Sequence, residues 1–153
     1  MAQVYGKYIE EHSKPDDKIA ILGSEPEIYF YSKRSAATGF VYTYEMMKEH
    51  PHAHEFEMQM ISEIEAAKPK YMLFVNMPTS WYSVKLNKAD TTIFHWGFKY
   101  IDDHYTRVGI VDIVESGGNY CWETPQNRCM PKMSNWIGMY VRKDTAAIKP
   151  TVQ

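Results

Sequence analysis

Short apolar runs and amphipathic stretches alternate along the first half of the chain. Runs of this kind, typical of buried strands, lie at 18–22, 36–43 and 70–77. Helical spacing of apolar residues predicts helices at 4–12, 25–32 and, most clearly, 52–69, with 45–52 as a polar loop. Because strands and helices alternate, we expect right-handed crossovers and a mainly parallel sheet.

The second half of the chain has a different pattern. A helix is predicted at 90–101, and alternating residues then predict strands at 106–114 and 119–123, joined by a turn at Gly117 and Gly118. A last strand is expected at 135–143. The predicted fold is a single α/β domain over residues 1–153. It is expected to be a three-layer αβα sandwich of Rossmann or flavodoxin-like type, with a mainly parallel sheet and antiparallel C-terminal strands.

The turn after the first predicted strand, "ILGSEPEIYFYSKR", is where many α/β proteins hold a phosphate or nucleotide. It contains neither the dinucleotide fingerprint nor a P-loop. Ser24 and Glu27 have the spacing of a capping box, and acidic residues at the helix start repel a phosphate. The turn is therefore expected to be structural, and a neutral polyol such as a sugar suits it better than a phosphate.

Aromatic and polar residues cluster near the predicted carboxyl ends of strands, where the binding crevice of a parallel sheet usually lies. Aromatic faces with carboxylate, guanidinium and amide groups fit a sugar, whose apolar face stacks while its hydroxyls form hydrogen bonds. The alternative is that Tyr29 belongs to the core and Trp81 caps the sheet. The candidate binding residues are Glu25, Tyr29, Tyr31, Arg34, Trp81 and Tyr82.

No residue set predicts catalysis, a metal or a cofactor. His50, His52 and His54 lack a metal-binding spacing and are better interpreted as a solvated helix entrance. There is no G-x-S-x-G motif. The net charge of -2, without a basic face, argues against nucleic acid as a partner.

The residues by themselves do not decide in which cellular compartment the protein lies. No apolar run approaches the roughly 20 residues that span a bilayer, and no secretory signal is visible. The start reads as the inside of a helix, which suits a piece of a longer protein. Cys121 and Cys129 would be free thiols in a reducing compartment, and in an oxidising one they could form a disulfide.

Residues 16–44, 60–76 and the pair Ser80-Trp81 together resemble a known family. They are similar to the soluble carboxyl-terminal domain of membrane-embedded GT-C glycosyltransferases, related to dolichyl-phosphate-mannose protein mannosyltransferases, of the Bacteroidetes type. The resemblance covers most of residues 5–115. Its most specific part is G-S-E-P-x-I-Y-F-Y-[SA]-x-R-x-[AS]-A-T, matched from Gly23 to Thr38.

This resemblance implies a non-catalytic domain on the periplasmic face of the inner membrane. The catalytic acid of such enzymes lies in their membrane part, which uses a polyprenyl-phosphate sugar donor, so no catalytic residue carries over. The partners implied are the membrane-embedded part of the same polypeptide and a sugar or polyprenyl-phosphate sugar. In an oxidising periplasm the two cysteines become a plausible bridge. The alternative function is a freestanding cytosolic flavodoxin-like enzyme or small-molecule binder, which predicts a deep pocket at the strand ends.

Overall fold

The computed structural model describes residues 1–82, 92–115 and 117–145. Its helices are α1 (Ala2–Glu11), α2 (Glu27–Ser32), α3 (Tyr44–Met47), α4 (Ala53–Ala67) and α5 (Thr92–His104). Its strands are β1 (Ile19–Leu22), β2 (Tyr71–Asn76), β3 (Tyr105–Val114), β4 (Gly117–Trp122) and β5 (Trp136–Arg142). Short 3-10 turns follow β2 at Pro78–Trp81 and β5 at Lys143–Thr145.

The five strands form one sheet in the order β1-β2-β5-β3-β4. Only β1 and β2 pair in parallel, and the other three neighbouring pairs in the described part of the chain are antiparallel. The predicted flavodoxin-like, mainly parallel three-layer sandwich is therefore wrong. The reason is β5, which inserts between β2 and β3 and runs against both, so a single crossover connects parallel strands. Of the described helices, only α1, α4 and α5 reach ten residues.

Strand β2 shows how the core is divided. Its odd residues Tyr71, Leu73 and Val75 pack with α1 and α2, whereas Met72 and Phe74 pack with α4 and α5. All five side chains are buried, because successive residues of a strand point to opposite faces and both faces here are covered. This accounts for the continuous apolar run from which the strand was predicted.

The predicted strand at 36–43 is also wrong. Only Ala36 joins the sheet, through one parallel bridge to Ile19. Beyond Ala36 the chain leaves the sheet. The Glu63 carboxylate of α4 accepts hydrogen bonds there from the Thr38 hydroxyl at 2.6 Å and the Gly39 amide at 2.8 Å. These groups thus find a side-chain acceptor in place of a strand partner.

The predicted loop at 45–52 contains the short helix α3. Met46 and Met47 are buried there against α4. The other predicted helices and strands are confirmed in type, with shifted ends. Gly117 and Gly118, expected as a turn, begin β4, and residues 90 and 91 of the predicted helix lie outside the described residues.

A segment at 123–135 connects β4 to β5 and is held by a disulfide and by hydrogen bonds to the sheet. Cys121 and Cys129 form a disulfide with their Cα atoms 5.7 Å apart. Further along, the Asp112 carboxylate accepts hydrogen bonds from the backbone amides of Lys132 and Met133, at 3.0 and 3.2 Å. Separately, none of the described helices is long and apolar enough to cross a membrane.

Candidate functional site

Ser24, Glu25, Thr43 and Ser80 meet at the carboxyl ends of β1 and β2, and we call them the strand-end cluster. The Ser80 hydroxyl donates to the Glu25 carboxyl at 2.9 Å and accepts from the Ser24 amide at 2.8 Å. The Thr43 hydroxyl donates to the Ser80 carbonyl at 3.0 Å, and the Thr43 amide donates to the Ser24 hydroxyl at 3.0 Å. The cluster thus joins the turn after β1, the start of α3 and the 3-10 turn after β2.

Gly23 makes this arrangement possible. Its φ of +155° is rare for residues with a side chain, and an added Cβ would lie 2.5 Å from Val75 Cγ2 and 2.6 Å from Glu25 Oε2. The predicted capping box does not form, because Pro26 takes the N-cap position of α2 without a side-chain cap bond. The Ser24 hydroxyl instead bonds to Thr43 in the distant turn.

Glu25 is the group of this cluster with the most altered acidity. Burial raises its pKa to about 7, the charge of Glu27 adds to the rise, and hydrogen bonds from Ser80 and the Ser24 amide oppose it. A carboxyl that titrates near neutrality beside a hydroxyl resembles a general acid–base pair. However, Glu25 and Ser80 are only 6% and 3% exposed, so within the described residues they hold the turns together and leave no room for a substrate.

Trp81 lies in the core beneath the same end of the sheet. Its side chain is buried, its ring packs 4.4 Å from that of Phe94, and its Nε1 donates to the Val75 carbonyl at 2.7 Å. The indole therefore has no free face or donor to offer a ligand. This placement agrees with the alternative in which Trp81 caps the sheet.

Tyr82 is exposed and belongs to a group we call the tyrosine row, made of Tyr42, Tyr44 and Tyr82. Ring centroids are 6.0 Å apart between Tyr42 and Tyr44 and 5.7 Å apart between Tyr44 and Tyr82. Tyr42 and Tyr82 are each 52% exposed. Lys48 places its ammonium 5.4 Å from the Tyr82 ring centre. The row lies beside the strand-end cluster, because Tyr42 and Tyr44 flank Thr43 and the Tyr44 hydroxyl donates to the carbonyl of Thr79, which precedes Ser80, at 3.0 Å.

Sequence reasoning missed Tyr42 and Tyr44. Tyr42 falls at the end of the predicted strand 36–43, and Tyr44 lies just beyond it. The sequence "VYTY" carries no signal for this turn, because Val, Tyr and Thr all favour strands. In the structure Thr43 is buried between the two tyrosines, which are not.

Tyr29, Tyr31 and Arg34 do not join this region, because they hold α2 against β1 and α1. Tyr29 accepts a hydrogen bond from the Ile21 amide at 3.1 Å, and burial raises the pKa of its hydroxyl. Arg34 is buried and donates to the carbonyls of Glu10 and Ser13 at 3.0 and 2.8 Å, which satisfies the end of α1. Tyr31 accepts from Gln3 and packs its Cβ on Gly6. These side chains serve packing.

The histidines at the entrance of α4 bind to nearby protein groups. His50 contacts the Glu45 carbonyl at 2.6 Å, and His52 contacts the Glu55 carboxylate at 3.0 Å. Across 1–82, 92–115 and 117–145, no three His, Cys, Asp or Glu side chains are grouped to hold a metal ion. Comparisons with protein-family models, curated proteins and solved structures found no match for this chain.

Proposed function

We propose that this chain is a non-catalytic, sugar-holding domain of a membrane glycosyltransferase, with the tyrosine row as its contact surface. The observation that carries the proposal is the row itself, in which two half-exposed rings flank a third over a rigid, internally bonded base. Tyrosine suits such a surface because each ring offers an apolar face and a hydroxyl with little rotamer entropy to lose.

The chemistry of the row favours a neutral sugar. The apolar face of a hexose stacks on a tyrosine ring, and its hydroxyls bond to the phenol groups and to the Lys48 ammonium beside Tyr82. Such an open surface binds weakly, with a dissociation constant in the millimolar range. Weak binding suffices for a domain that only holds an acceptor or donor sugar near a catalytic centre elsewhere in the same polypeptide.

The proposed location is the periplasmic face of the inner membrane, and the proposed partner is a membrane-embedded part that uses a polyprenyl-phosphate sugar. The disulfide between Cys121 and Cys129 supports an oxidising compartment, because cytosolic thiols are kept reduced. The resemblance of Gly23 to Thr38 to such enzymes supports the choice of transferase. The Glu25 of that motif then serves the strand-end cluster beneath the row.

Saturation-transfer NMR on the chain tests the proposal, with mannose and glucose as ligands. Tyr82→Ala and Tyr42→Ala should each abolish most of the saturation transfer to the sugar ring protons, because each removes one stacking face. Phe30→Ala is the matched control, since Phe30 is 77% exposed but belongs to α2. It should leave the transfer unchanged.

The proposal fails if neither sugar shows transfer to the wild-type chain, or if the tyrosine variants retain it. The same conclusion follows if Phe30→Ala reduces transfer as much as Tyr82→Ala does, since the contact would then be unspecific. For the compartment, periplasmic extraction followed by thiol labelling should find Cys121 and Cys129 oxidised. Labelling of both as free thiols in the cell would contradict the proposed location.

A further inference from the structure

A cavity of about 430 Å³ lies at the opposite end of β2 from the strand-end cluster. We call it the α5 groove. Arg142 reaches it from the end of β5, where its backbone amide donates to the Lys70 carbonyl at 2.9 Å, just before β2 begins. The volume falls in the range of small-molecule sites. The groove is lined by Glu65, Lys68, Trp96, Lys99, Tyr100, Asp103, His104 and Arg142.

One wall of the groove is aromatic. Trp96, Tyr100 and His104 are spaced four residues apart on α5 and therefore share one face of the helix. The Trp96 and Tyr100 rings are stacked with centroids 5.0 Å apart and planes 18° apart, and His104 follows at 4.6 Å from Tyr100. Trp96 remains only half-buried. The wall thus presents an aromatic surface to the cavity.

The carboxylates of the groove are already bound by the protein. Glu65 accepts from Trp96 Nε1 at 2.8 Å, which fixes the indole. Asp103 accepts from the Lys99 ammonium at 2.7 Å. Outside the lining, Asp144 accepts from Arg142 Nε at 3.0 Å. Each of these carboxylates is therefore held in place by a donor of the protein.

Tyr100 offers a donor to the groove. Its side chain is nine-tenths buried, and its hydroxyl accepts from Arg142 Nη1 at 3.4 Å but has no acceptor for its own proton among the described residues. The neighbouring Tyr105 differs, since its hydroxyl donates to the Pro69 carbonyl at 2.7 Å. Because Tyr100 lines the groove, its hydroxyl proton can be donated to an acceptor that enters the groove.

Lys68 is a second donor that faces the groove. Its side chain is exposed, and within the described residues its ammonium has no carboxylate within ion-pair distance, whereas Lys99 on the same groove is paired with Asp103. Its backbone is left-handed, with φ of +48°, at the position after α4 where glycine is preferred. The three cationic side chains of the lining face two carboxylates, and Asp144 beside the lining pairs with Arg142. The Lys68 ammonium, without a carboxylate partner among the described residues, is therefore the group that favours an anionic ligand.

We propose that the α5 groove binds an anionic hexose. Its ring lies against Trp96, its carboxylate or phosphate is held by Lys68, and a ring oxygen or hydroxyl accepts the Tyr100 proton. This site is separate from the tyrosine row, and it does not depend on the function proposed for that row. Neutral sugars lack the group that Lys68 would hold, so they are expected to bind the groove weakly.

Titration of the chain with glucuronate, followed through indole N–H signals in two-dimensional NMR, tests this site. Trp96→Phe identifies the Trp96 signal, which should shift on addition of glucuronate and barely shift with glucose or acetate alone. Lys68→Gly should weaken glucuronate binding about tenfold, the loss expected for one charge-assisted bond. Lys33→Gly is the matched control, because Lys33 also follows a helix with a left-handed backbone but lies outside the groove.

Glycine is preferred at both positions, so neither variant is expected to unfold, and a loss of binding in Lys68→Gly alone supports the site. Equal binding by Lys68→Gly and wild type would overturn it, as would equal shifts with glucose. A shift with acetate of the same size would reduce the site to a carboxylate contact and overturn the sugar assignment. Tyr82→Ala should leave the glucuronate titration unchanged, so failure of the row and failure of the groove are observed separately.

Discussion

Strand β2 has a polar region at each end, and the two regions differ in how their hydrogen bonds are completed. At its carboxyl end, Ser24, Thr43 and Ser80 bond to one another and to Glu25, and all but Ser24 are buried. At its amino end, the α5 groove holds a hydroxyl proton and an ammonium group with no acceptor among the described residues. The first region is closed and the second is open.

The difference shows which polar residues serve the fold and which are left for a ligand. Residues whose hydrogen bonds are completed within the protein can have a raised pKa, as Glu25 does, and still serve only to connect turns. Donors around an open cavity that have no acceptor in the protein are left to water or to a ligand. A perturbed pKa is therefore a weaker guide to a binding site in this protein than an unfinished hydrogen bond.

Gly23→Ala should have the largest effect on stability, because Gly23 lies in the closed region, where an added Cβ has the least space. The new Cβ would lie 2.5 Å from Val75 and 2.6 Å from Glu25, so both β2 and the cluster must shift. We expect the free energy of unfolding to fall by about 3 kcal/mol or more, measured by urea denaturation.

Gly117→Ala separates backbone strain from steric overlap. Gly117 also has a positive φ, of +133°, but an added Cβ there meets nothing within 4 Å. We expect a loss of only about 1 kcal/mol. If the two variants lose the same free energy of unfolding, the structure accommodates the added Cβ at Gly23 without further loss. The strand-end cluster is then not tightly packed.

Glu25→Gln should change how stability depends on pH. The folded pKa of about 7 lies above the usual 4.5, so the folded state holds a proton that the unfolded state releases. The resulting stabilisation is complete below pH 4.5 and is lost as pH rises through 7, a change of up to about 3 kcal/mol. The neutral amide removes this slope, which urea denaturation between pH 4.5 and 8 measures. The variant should be the more stable form at pH 8.

The control for this prediction is Glu27→Gln, which removes an exposed carboxylate from the first turn of α2. Its charge contributes to the raised pKa of Glu25 but less than burial does. Most of the pH slope should therefore remain. If the wild-type chain shows no loss of stability between pH 4.5 and 8, Glu25 is solvated and the closed description of the cluster is wrong.

The fold could be predicted from the sequence as far as local patterns reach. Apolar runs identified β1 and β2, and helical spacing identified α4 with its end before Pro69. The sheet order could not be predicted, because nothing in the pattern of β5 indicates that it enters between β2 and β3. Pairing between strands that are distant in sequence is decided by side-chain packing, which local spacing does not contain.

The candidate site was predicted in part for the same reason. Glu25 and Tyr82 do lie at the carboxyl ends of the parallel pair, but the sequence could not show that one is buried and the other exposed. Arg34 was assigned to a ligand and instead satisfies the end of α1, a long-range bond that no spacing reveals. The α5 groove was missed because its residues come from α4, α5 and β5.

Thr43→Val tests whether the bonds of the closed region matter individually. Valine keeps the shape of the buried side chain but leaves the Ser80 carbonyl and the Ser24 hydroxyl each without one partner. We expect a loss of about 1–2 kcal/mol in the free energy of unfolding. Thr106→Val is the control on an exposed position of β3, with an expected change within about 0.5 kcal/mol. Equal small changes would mean that water replaces the lost bonds.

Lys68→Gly should have the smallest effect on stability and the opposite sign, which is what an open region implies. Glycine adopts the left-handed backbone after α4 without strain, and the Lys68 ammonium has no carboxylate partner among the described residues to lose. We expect the free energy of unfolding, measured by urea denaturation, to rise slightly, by up to about 1 kcal/mol. Lys33→Gly should gain less, because the exposed pair between Lys33 and Glu10 is removed at the same time. A loss of stability in Lys68→Gly would mean that its ammonium already serves the fold, and the α5 groove would then be closed like the strand-end cluster.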